Sequence, residues 1–216
     1  MFWRTEIHRG ISWNDLEARQ AEILRNLGRG EAVLLFSEPQ PTFTCGRTGK
    51  PTDLLWSDEQ LRKRGVTVAK VSRGGKWTYH GPGQVVLYPL IHLADLSLPS
   101  KGSRVFVDTF RRSILSALHG LGVGGYCGDE PYGIYVCDKK VVSFGLHFQN
   151  GIASHGAALY LKNQSKYFSG INPCGAPQVP LTSLENLGHF LTWGDTVSQL
   201  AEHVKNGFQL LAKPLI

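Results

Sequence analysis

The stretch that most restricts the backbone of this chain is residues 73–84, Arg-Gly-Gly-Lys-Trp-Thr-Tyr-His-Gly-Pro-Gly-Gln, which runs directly into the apolar residues 85–88. Glycine tolerates a positive φ and lets a ligand approach the main chain closely, while Pro82 fixes its own φ. Arg73, Thr78 and His80 supply hydrogen-bonding groups. A plain strand–turn–strand connection is the alternative, but a stretch this polar and this constrained favours a loop that binds a ligand.

The chain has 216 residues, of which 42% are hydrophobic, and this is enough for one sizeable core. We therefore predict a single domain that covers residues 1–216. The first residues lack the basic start and apolar centre of a signal peptide, and no apolar run approaches the length of a membrane span. The sequence predicts a cytoplasmic protein with no membrane segment.

The cysteines are scattered, with no C-x-x-C pair and no histidines at zinc-binding spacing. This pattern predicts neither a metal site nor a disulfide framework, and it favours a reducing compartment. The formal net charge of +6 favours acidic partners. No basic stripe interleaved with aromatic residues is present, so we predict no nucleic-acid partner and favour an acidic protein.

Hydrophobic periodicity predicts helices after Ser12 and Thr192, a short polar helix at residues 57–64 and a long helix at residues 103–121. Short apolar or alternating runs predict strands at residues 32–36, 66–71, 84–91 and within 133–161. We expect Gly145, Gly151 and Gly156 to bend the last of these into antiparallel hairpins. The pattern indicates an α+β fold with a mixed, mainly antiparallel sheet flanked by helices.

Cys174 is the candidate nucleophile, because it lies in a turn-like segment between Pro173 and Gly175. We expect Cys45, Cys127 and Cys137 to be buried small hydrophobes instead. A thiol with an ordinary pKa of about 8.5 is only slightly ionised at neutral pH, so a nucleophilic Cys174 needs a base or a cation.

Three side chains could activate this thiol. Lys140 begins an apolar strand that would bury part of its stem, while His80 and His155 are the usual type of base. Sequence spacing alone does not choose among the three.

Three motifs together resemble the octanoyltransferase family, which transfers an octanoyl chain from acyl carrier protein to lipoyl domains. Residues 73–84 resemble its main signature, residues 140–145 its lysine motif and residues 171–175 its cysteine motif, in the same order along the chain. Residues 155–159 and 182–183 are similar to further pieces of the family pattern. The resemblance extends from the first helix to Leu184.

The resemblance implies the fold of lipoate and biotin ligases and a Cys174/Lys140 catalytic dyad that works through an acyl-enzyme without metal or cofactor. The donor would be octanoyl-acyl carrier protein, and the acceptors would be lipoyl domains of 2-oxoacid dehydrogenase E2 subunits and the glycine cleavage H protein. A monomer is expected. The implied substrate-binding residues are Arg73, Gly74, Gly75, Lys76, Trp77, Thr78, Tyr79, His80, Ser143, Phe144, Gly145, Gly156, Ala157 and Ala158.

Two residues depart from the family pattern. Tyr160 replaces the usual asparagine, and Phe144 is larger than the usual aliphatic residue, so both are expected to reshape the acyl pocket. Two other functions remain as alternatives. One is an ATP-dependent lipoate ligase, which needs no cysteine nucleophile, and the other is a non-catalytic protein that binds lipoyl domains or acyl carriers.

Overall fold

A computed structural model describes residues 1–129, 131–163, 165–172 and 180–212. In this part of the chain, ten strands form two sheets: β1 (Phe2–Ile11), β2 (Glu31–Pro39), β3 (Thr42–Cys45), β4 (Thr67–Lys70), β5 (Trp77–His80), β6 (Gln84–His92), β7 (Tyr126–Asp129), β8 (Tyr132–Val136), β9 (Lys139–Gln149) and β10 (Ile152–Tyr160). The helices are α1 (Trp13–Asn26), α2 (Asp58–Lys63), α3 (Ser103–Gly120), α4 (Ser165–Phe168) and α5 (Trp193–Ala212).

The larger sheet has seven strands in the order β1-β2-β6-β10-β9-β8-β7. Its β1–β2 pair is parallel and the other pairs are antiparallel. The smaller sheet has the order β4-β3-β5, with a parallel pair and an antiparallel pair. The prediction of an α+β fold with a mixed, mainly antiparallel sheet is therefore confirmed.

Helices α3 and α5 cover one face of the seven-stranded sheet. Phe208 of α5 packs against Phe106 and Phe110 of α3, with ring centroids 4.5 and 6.2 Å apart. All three rings are fully buried, and burying a side chain of this size contributes about 1.5–3 kcal/mol. The helical periods of the sequence predicted this layer, because their apolar stripes are the ones that meet the sheet.

Helix α1 and the smaller sheet cover the opposite face. The hydroxyl of Ser12 accepts a hydrogen bond from the N–H of Asp15 at 3.2 Å and caps α1, as the sequence predicted. Trp13, Leu16 and Ile23 then pack against the sheet. The site described below lies on this face.

Two expectations about local structure are wrong. Gly145 and Gly156 are not bends: they face each other in the middle of the β9–β10 pair. The turn of that hairpin is formed by Asn150 and Gly151, which both have a positive φ. Cys137 is not buried but exposed in the β8–β9 turn, with a φ of 47°.

Within the described residues, no helix is long and apolar enough to cross a membrane.

Candidate active site

A cleft with a cavity volume of about 80 Å³ opens on the α1 face. It lies where residues 73–76 and β5 meet β6, β9 and β10. The residues that line it are Arg73, Gly75, Lys76, Trp77, Thr78, His80, Val86, Tyr88, Lys140, Ser143, Phe144, Gly145, His155, Gly156, Ala157 and Ala158. The glycine-rich stretch and the lysine motif, which are about 60 residues apart in the sequence, thus share one cavity.

Two of the predicted binding residues do not line this cleft. Gly74 donates its N–H to the carbonyl of Leu146 at 3.2 Å and joins the loop to the sheet. Tyr79 is fully buried, with its ring stacked on Tyr167 at 4.2 Å and in edge contact with Phe43. The structure therefore gives both residues a packing environment beside the cleft.

Arg73 is the anchor of the glycine loop. Its guanidinium donates to the carbonyl of Thr44 at 2.7 Å, to the Thr44 hydroxyl at 2.7 and 3.1 Å, and to the carbonyls of Gly74 and Lys76 at 2.9 and 2.8 Å. Only 7% of the residue is exposed. Because these bonds tie the loop to β3 and to itself, Arg73 fixes the wall of the cleft.

Gly145 and Gly156 allow this loop and neighbouring strands to approach closely. A Cβ on Gly145 would lie 3.1 Å from Cδ of Arg73 and 3.3 Å from the carbonyl oxygen of Gly74. A Cβ on Gly156 would overlap the carbonyl oxygen of Leu87 on β6. Glycine is therefore required at position 156, and at position 145 a side chain would crowd Arg73 and the glycine loop.

A β-bulge directs Lys140 into the cleft. Ile134 of β8 pairs with Val142 of β9, but the next residue, Tyr135, pairs with Lys140. Val141 is therefore the extra residue of the bulge. Val141 and Val142 both pack into the core beneath α3 and α5. Lys140 and Ser143 both line the cleft on the other face. Without the bulge, strict alternation would place these two residues on opposite faces.

The stem of Lys140 lies across Gly133 of β8. A Cβ on Gly133 would be only 2.5 Å from Cε of Lys140. Only 3% of Lys140 is exposed. Its N–H donates to the carbonyl of Pro180 at 2.9 Å, and its carbonyl accepts from the N–H of Thr182 at 3.0 Å. The strand that carries Lys140 is thus joined to the segment that begins six residues after Cys174. Cys174 itself lies outside the described residues.

Two buried histidines contribute to the same wall. His80 Nδ1 lies 3.3 Å from Oε1 of Gln84, and burial, reinforced by the charge of Arg73, lowers the pKa of His80 to about 3. His155 Nε2 lies 2.9 Å from Oγ of Ser72, and burial together with Arg73 lowers its pKa to about 3. Both imidazoles are therefore neutral at pH 7.

This neutrality predicts a loss of stability on acidification. Unfolded histidines take up a proton near pH 6.5, whereas folded His80 and His155 do not until about pH 3, so the unfolded state binds more protons between these values. Stability should fall with decreasing pH below about 6, by up to roughly 1.4 kcal/mol per pH unit for each histidine. Burial raises the pKa of Glu17, which partly opposes this trend.

Urea unfolding of the wild type, His80→Gln and the exposed-site control His119→Gln at pH 7 and pH 5 tests this prediction. His80→Gln should lose less stability between the two pH values than the wild type, even where its stability at pH 7 is lower. His119→Gln should match the wild type. Equal pH dependence in all three proteins would contradict the assignment to His80.

Tyr160 and Phe144, the two departures from the family pattern, have their side chains in different surroundings. The hydroxyl of Tyr160 donates to Oγ of Ser143 at 2.7 Å, so it orients a polar group that lines the cleft. The ring of Phe144 packs edge-on against Phe110 and Tyr132, at 5.8 and 5.6 Å, beneath helix α3. Tyr160 thus influences the polar wall of the cleft, while the Phe144 ring supports the sheet from behind.

Some residues of the cleft were absent from the predicted binding set. Val86 and Tyr88 line it from β6, and His155 lines it from β10. Gln20 of α1 accepts the N–H of His155 at 2.7 Å, and Oε1 of Glu17 lies 3.8 Å from His155 Nδ1. Alternation along β6 places residues 86 and 88 on one face, but only the sheet register shows that this face is the cleft.

No cluster of three or more His, Cys, Asp or Glu side chains suited to a metal ion occurs among the residues that the structure describes.

Solved structures define the class of this fold. A lipoate-protein ligase A crystallised with ATP superposes with a TM-score of 0.80 at 15% identity, covering 97% of this chain and 86% of that one. Biotin protein ligase from Aquifex aeolicus superposes with a TM-score of 0.53 at 10% identity, covering 99% of this chain and 72% of that one. The chain has the lipoate/biotin ligase-like fold, as the motifs predicted.

Sequence comparison then gives the family. The model of the lipoyl protein ligase A/B catalytic domain matches residues 16–209. An octanoyltransferase of Caldicellulosiruptor saccharolyticus is 36% identical over 183 residues, 83% of this chain and 77% of the relative. A mitochondrial octanoyltransferase of Arabidopsis thaliana is 36% identical over 70% of this chain and 64% of the relative. The chain therefore belongs to the lipoyl protein ligase A/B catalytic family, and it is an octanoyltransferase, an enzyme of protein lipoylation.

These relatives confirm the resemblance inferred from the three motifs. The Arabidopsis thaliana relative is mitochondrial. A cytoplasmic location for this chain stays a prediction.

Proposed function

We propose that this enzyme transfers an octanoyl group from octanoyl-acyl carrier protein to a lysine of lipoyl domains through a thioester on Cys174. The acceptors are the lipoyl domains of 2-oxoacid dehydrogenase E2 subunits and the glycine cleavage H protein. The observation that carries the proposal is the bulged strand that directs buried Lys140 into a cleft walled by the glycine loop. The same strand pairs with the residues that follow the cysteine motif.

In the first half-reaction, Lys140 accepts the proton of the Cys174 thiol. The thiolate attacks the carbonyl carbon of the octanoyl thioester, and the bond to the phosphopantetheine sulfur breaks. Lys140 returns its proton to the departing thiolate. The N–H of Gly74 is already bonded to Leu146, so oxyanion donors come from the loop residues beyond it, and such a donor typically contributes roughly 3–4 kcal/mol.

In the second half-reaction, the neutral amine of the acceptor lysine attacks the Cys174 thioester. An amide bond forms, the carbon–sulfur bond breaks, and Lys140 carries the amine proton to the cysteine. The conversion of a thioester into an amide is downhill, so the route needs no nucleotide.

Burial argues against the histidines as the base. A proton moved from a thiol of ordinary pKa, about 8.5, to an imidazole whose pKa is about 3 faces a cost of roughly 7 kcal/mol. That cost exceeds the typical gain from general-base catalysis, which is about 10²–10⁴-fold. His80 and His155 suit a different role, in which neutral rings shape and orient the wall of the cleft.

Intact-mass spectrometry tests the acyl-enzyme. Incubation with octanoyl-acyl carrier protein, without ATP, should add one octanoyl group that maps to Cys174, and a lipoyl domain should then remove it and gain the same mass. Octanoylated lipoyl domain formed without any enzyme adduct in single-turnover samples would reject the covalent route. A strict requirement for ATP would instead favour the ligase alternative.

A further inference from the structure

The positive charge of this chain is concentrated in one part of the fold. Residues 41–80 contain eight lysines and arginines but three aspartates and glutamates, which gives +5 of the total formal charge of +6. These residues form β3, α2, β4, β5 and the loops between them. We call this region the basic lobe. It covers the cleft from the side of the glycine loop.

Seven of the eight cations of the basic lobe, all except Arg73, form no ion pair among the described residues. Six of them are exposed and Lys76 is half-buried; the exposed ones are Arg47, Lys50, Arg62, Lys63, Arg64 and Lys70. Elsewhere in the fold, Arg4, Arg9, Arg19 and Arg29 do form ion pairs with carboxylates. The basic lobe therefore presents a positive potential to solvent.

Part of this charge lies next to the cleft. The N–H of Arg47 donates to the carbonyl of Arg73 at 3.2 Å, and the N–H of Thr48 donates to the carbonyl of Gly75 at 3.2 Å. The loop that carries Arg47 is thus bonded directly to the loop that lines the cleft. Lys76 itself lines the cleft, and Lys70 pairs in register with Cys45 at the start of the Arg47 loop.

We propose that the basic lobe is the docking surface for the acyl carrier protein that delivers the octanoyl chain, an inference that rests on the proposed function. Acyl carrier proteins are acidic, so their charge complements this surface. Their acyl group is carried on an arm that joins the carrier through a phosphodiester. The cations at the mouth, Arg47 and Lys76, face that anion, while Arg62 and Lys63 on α2 face the acidic carrier.

The chemistry of the two substrates favours the donor over the acceptor at this surface. The donor places an anion just outside the cleft, where the cations of the mouth attract it. The acceptor presents a lysine, whose side chain is itself a cation until it loses its proton. A positive mouth disfavours the approach of that group, so the acceptor uses a different part of the rim.

Charge reversal separates docking from chemistry. Arg62→Glu/Lys63→Glu should raise the KM for octanoyl-acyl carrier protein about tenfold or more and weaken its dependence on salt, because rim charges act mainly on association. The same variant should keep the wild-type rate with octanoyl-pantetheine, a donor without carrier or phosphate, and the wild-type KM for the lipoyl domain. Lys205→Glu, a single reversal at an exposed residue of α5 that matches Lys70→Glu in charge change, should behave as the wild type.

Three other outcomes would contradict the proposal that acyl carrier protein docks on the basic lobe. An unchanged KM for the carrier rejects it, a raised KM for the lipoyl domain assigns the surface to the acceptor, and an equal loss with both donors places the effect on the catalytic site. Reversing the charges of Arg62 and Lys63 also removes favourable cations from the C-terminal end of α2. Lys70→Glu on β4 repeats the test without that effect on a helix. If wild-type enzyme transfers octanoyl from neither donor, the proposed function fails instead.

Discussion

Replacement of Cys174 with alanine should reduce octanoyl transfer by at least about a thousandfold, because no other group then forms the acyl intermediate. The measurement is transfer from octanoyl-acyl carrier protein to a lipoyl domain, followed by the mass of the acceptor. The variant should also show no octanoyl adduct on the enzyme. Thermal unfolding should remain close to that of the wild type, so that the loss is one of chemistry.

Cys137 provides the matched control for this substitution. It is a free cysteine exposed in the β8–β9 turn, so Cys137→Ala removes an accessible thiol from a different place. This variant should keep wild-type transfer. Transfer retained in Cys174→Ala, or lost equally in both variants, would contradict the role of Cys174 as nucleophile.

The helices of this fold could be predicted from sequence because their signals are local. Ser12 and Thr192 each precede an acidic residue by three positions, and both hydroxyls accept the N–H of that residue as helix caps. The apolar stripes of α1, α3 and α5 then identify their buried faces. Capping and amphipathic periodicity are properties of a few neighbouring residues, so they need no tertiary information.

Strand β1 could not be predicted in the same way. It is an edge strand whose residues are mostly exposed, so its sequence does not show the regular alternation of a half-buried strand. Its place in the sheet depends on parallel pairing with β2, which begins about 20 residues after β1 ends. Pairing between distant segments is the information that local patterns lack.

The candidate site was predicted by motif and not by geometry. Sequence could associate Lys140 with the glycine loop, but alternation along β9 would have placed Lys140 opposite Ser143. The bulge at Val141 reverses that result. Likewise, the sequence predicted bends at Gly145 and Gly156. In the structure, Gly145 lets Arg73 approach β9, and Gly156 lets β6 approach β10. Both errors arise because strand register and close contacts are set by the tertiary fold.

The bulge also makes Lys140 a position where one substitution should have a large and specific effect. Lys140→Met keeps an unbranched stem over Gly133 but removes the amine, so the cleft should retain its packing. Loss of a general base typically lowers turnover by about 10²–10⁴-fold. The thiol pKa of Cys174, measured as the rate of alkylation against pH, should rise in the variant. Acylation should therefore recover as the pH increases.

Lys139 offers a matched control, since it precedes Lys140 on the same strand but is exposed. Lys139→Met should keep both the turnover and the alkylation profile of the wild type. A merely structural role for Lys140 would lower turnover at every pH without a shift in the thiol pKa. An unshifted profile in Lys140→Met, combined with a shifted one in His80→Gln or His155→Gln, would transfer the role of base to that histidine. The pH profile thus separates proton transfer from packing at Lys140, the buried lysine that the bulge directs into the cleft.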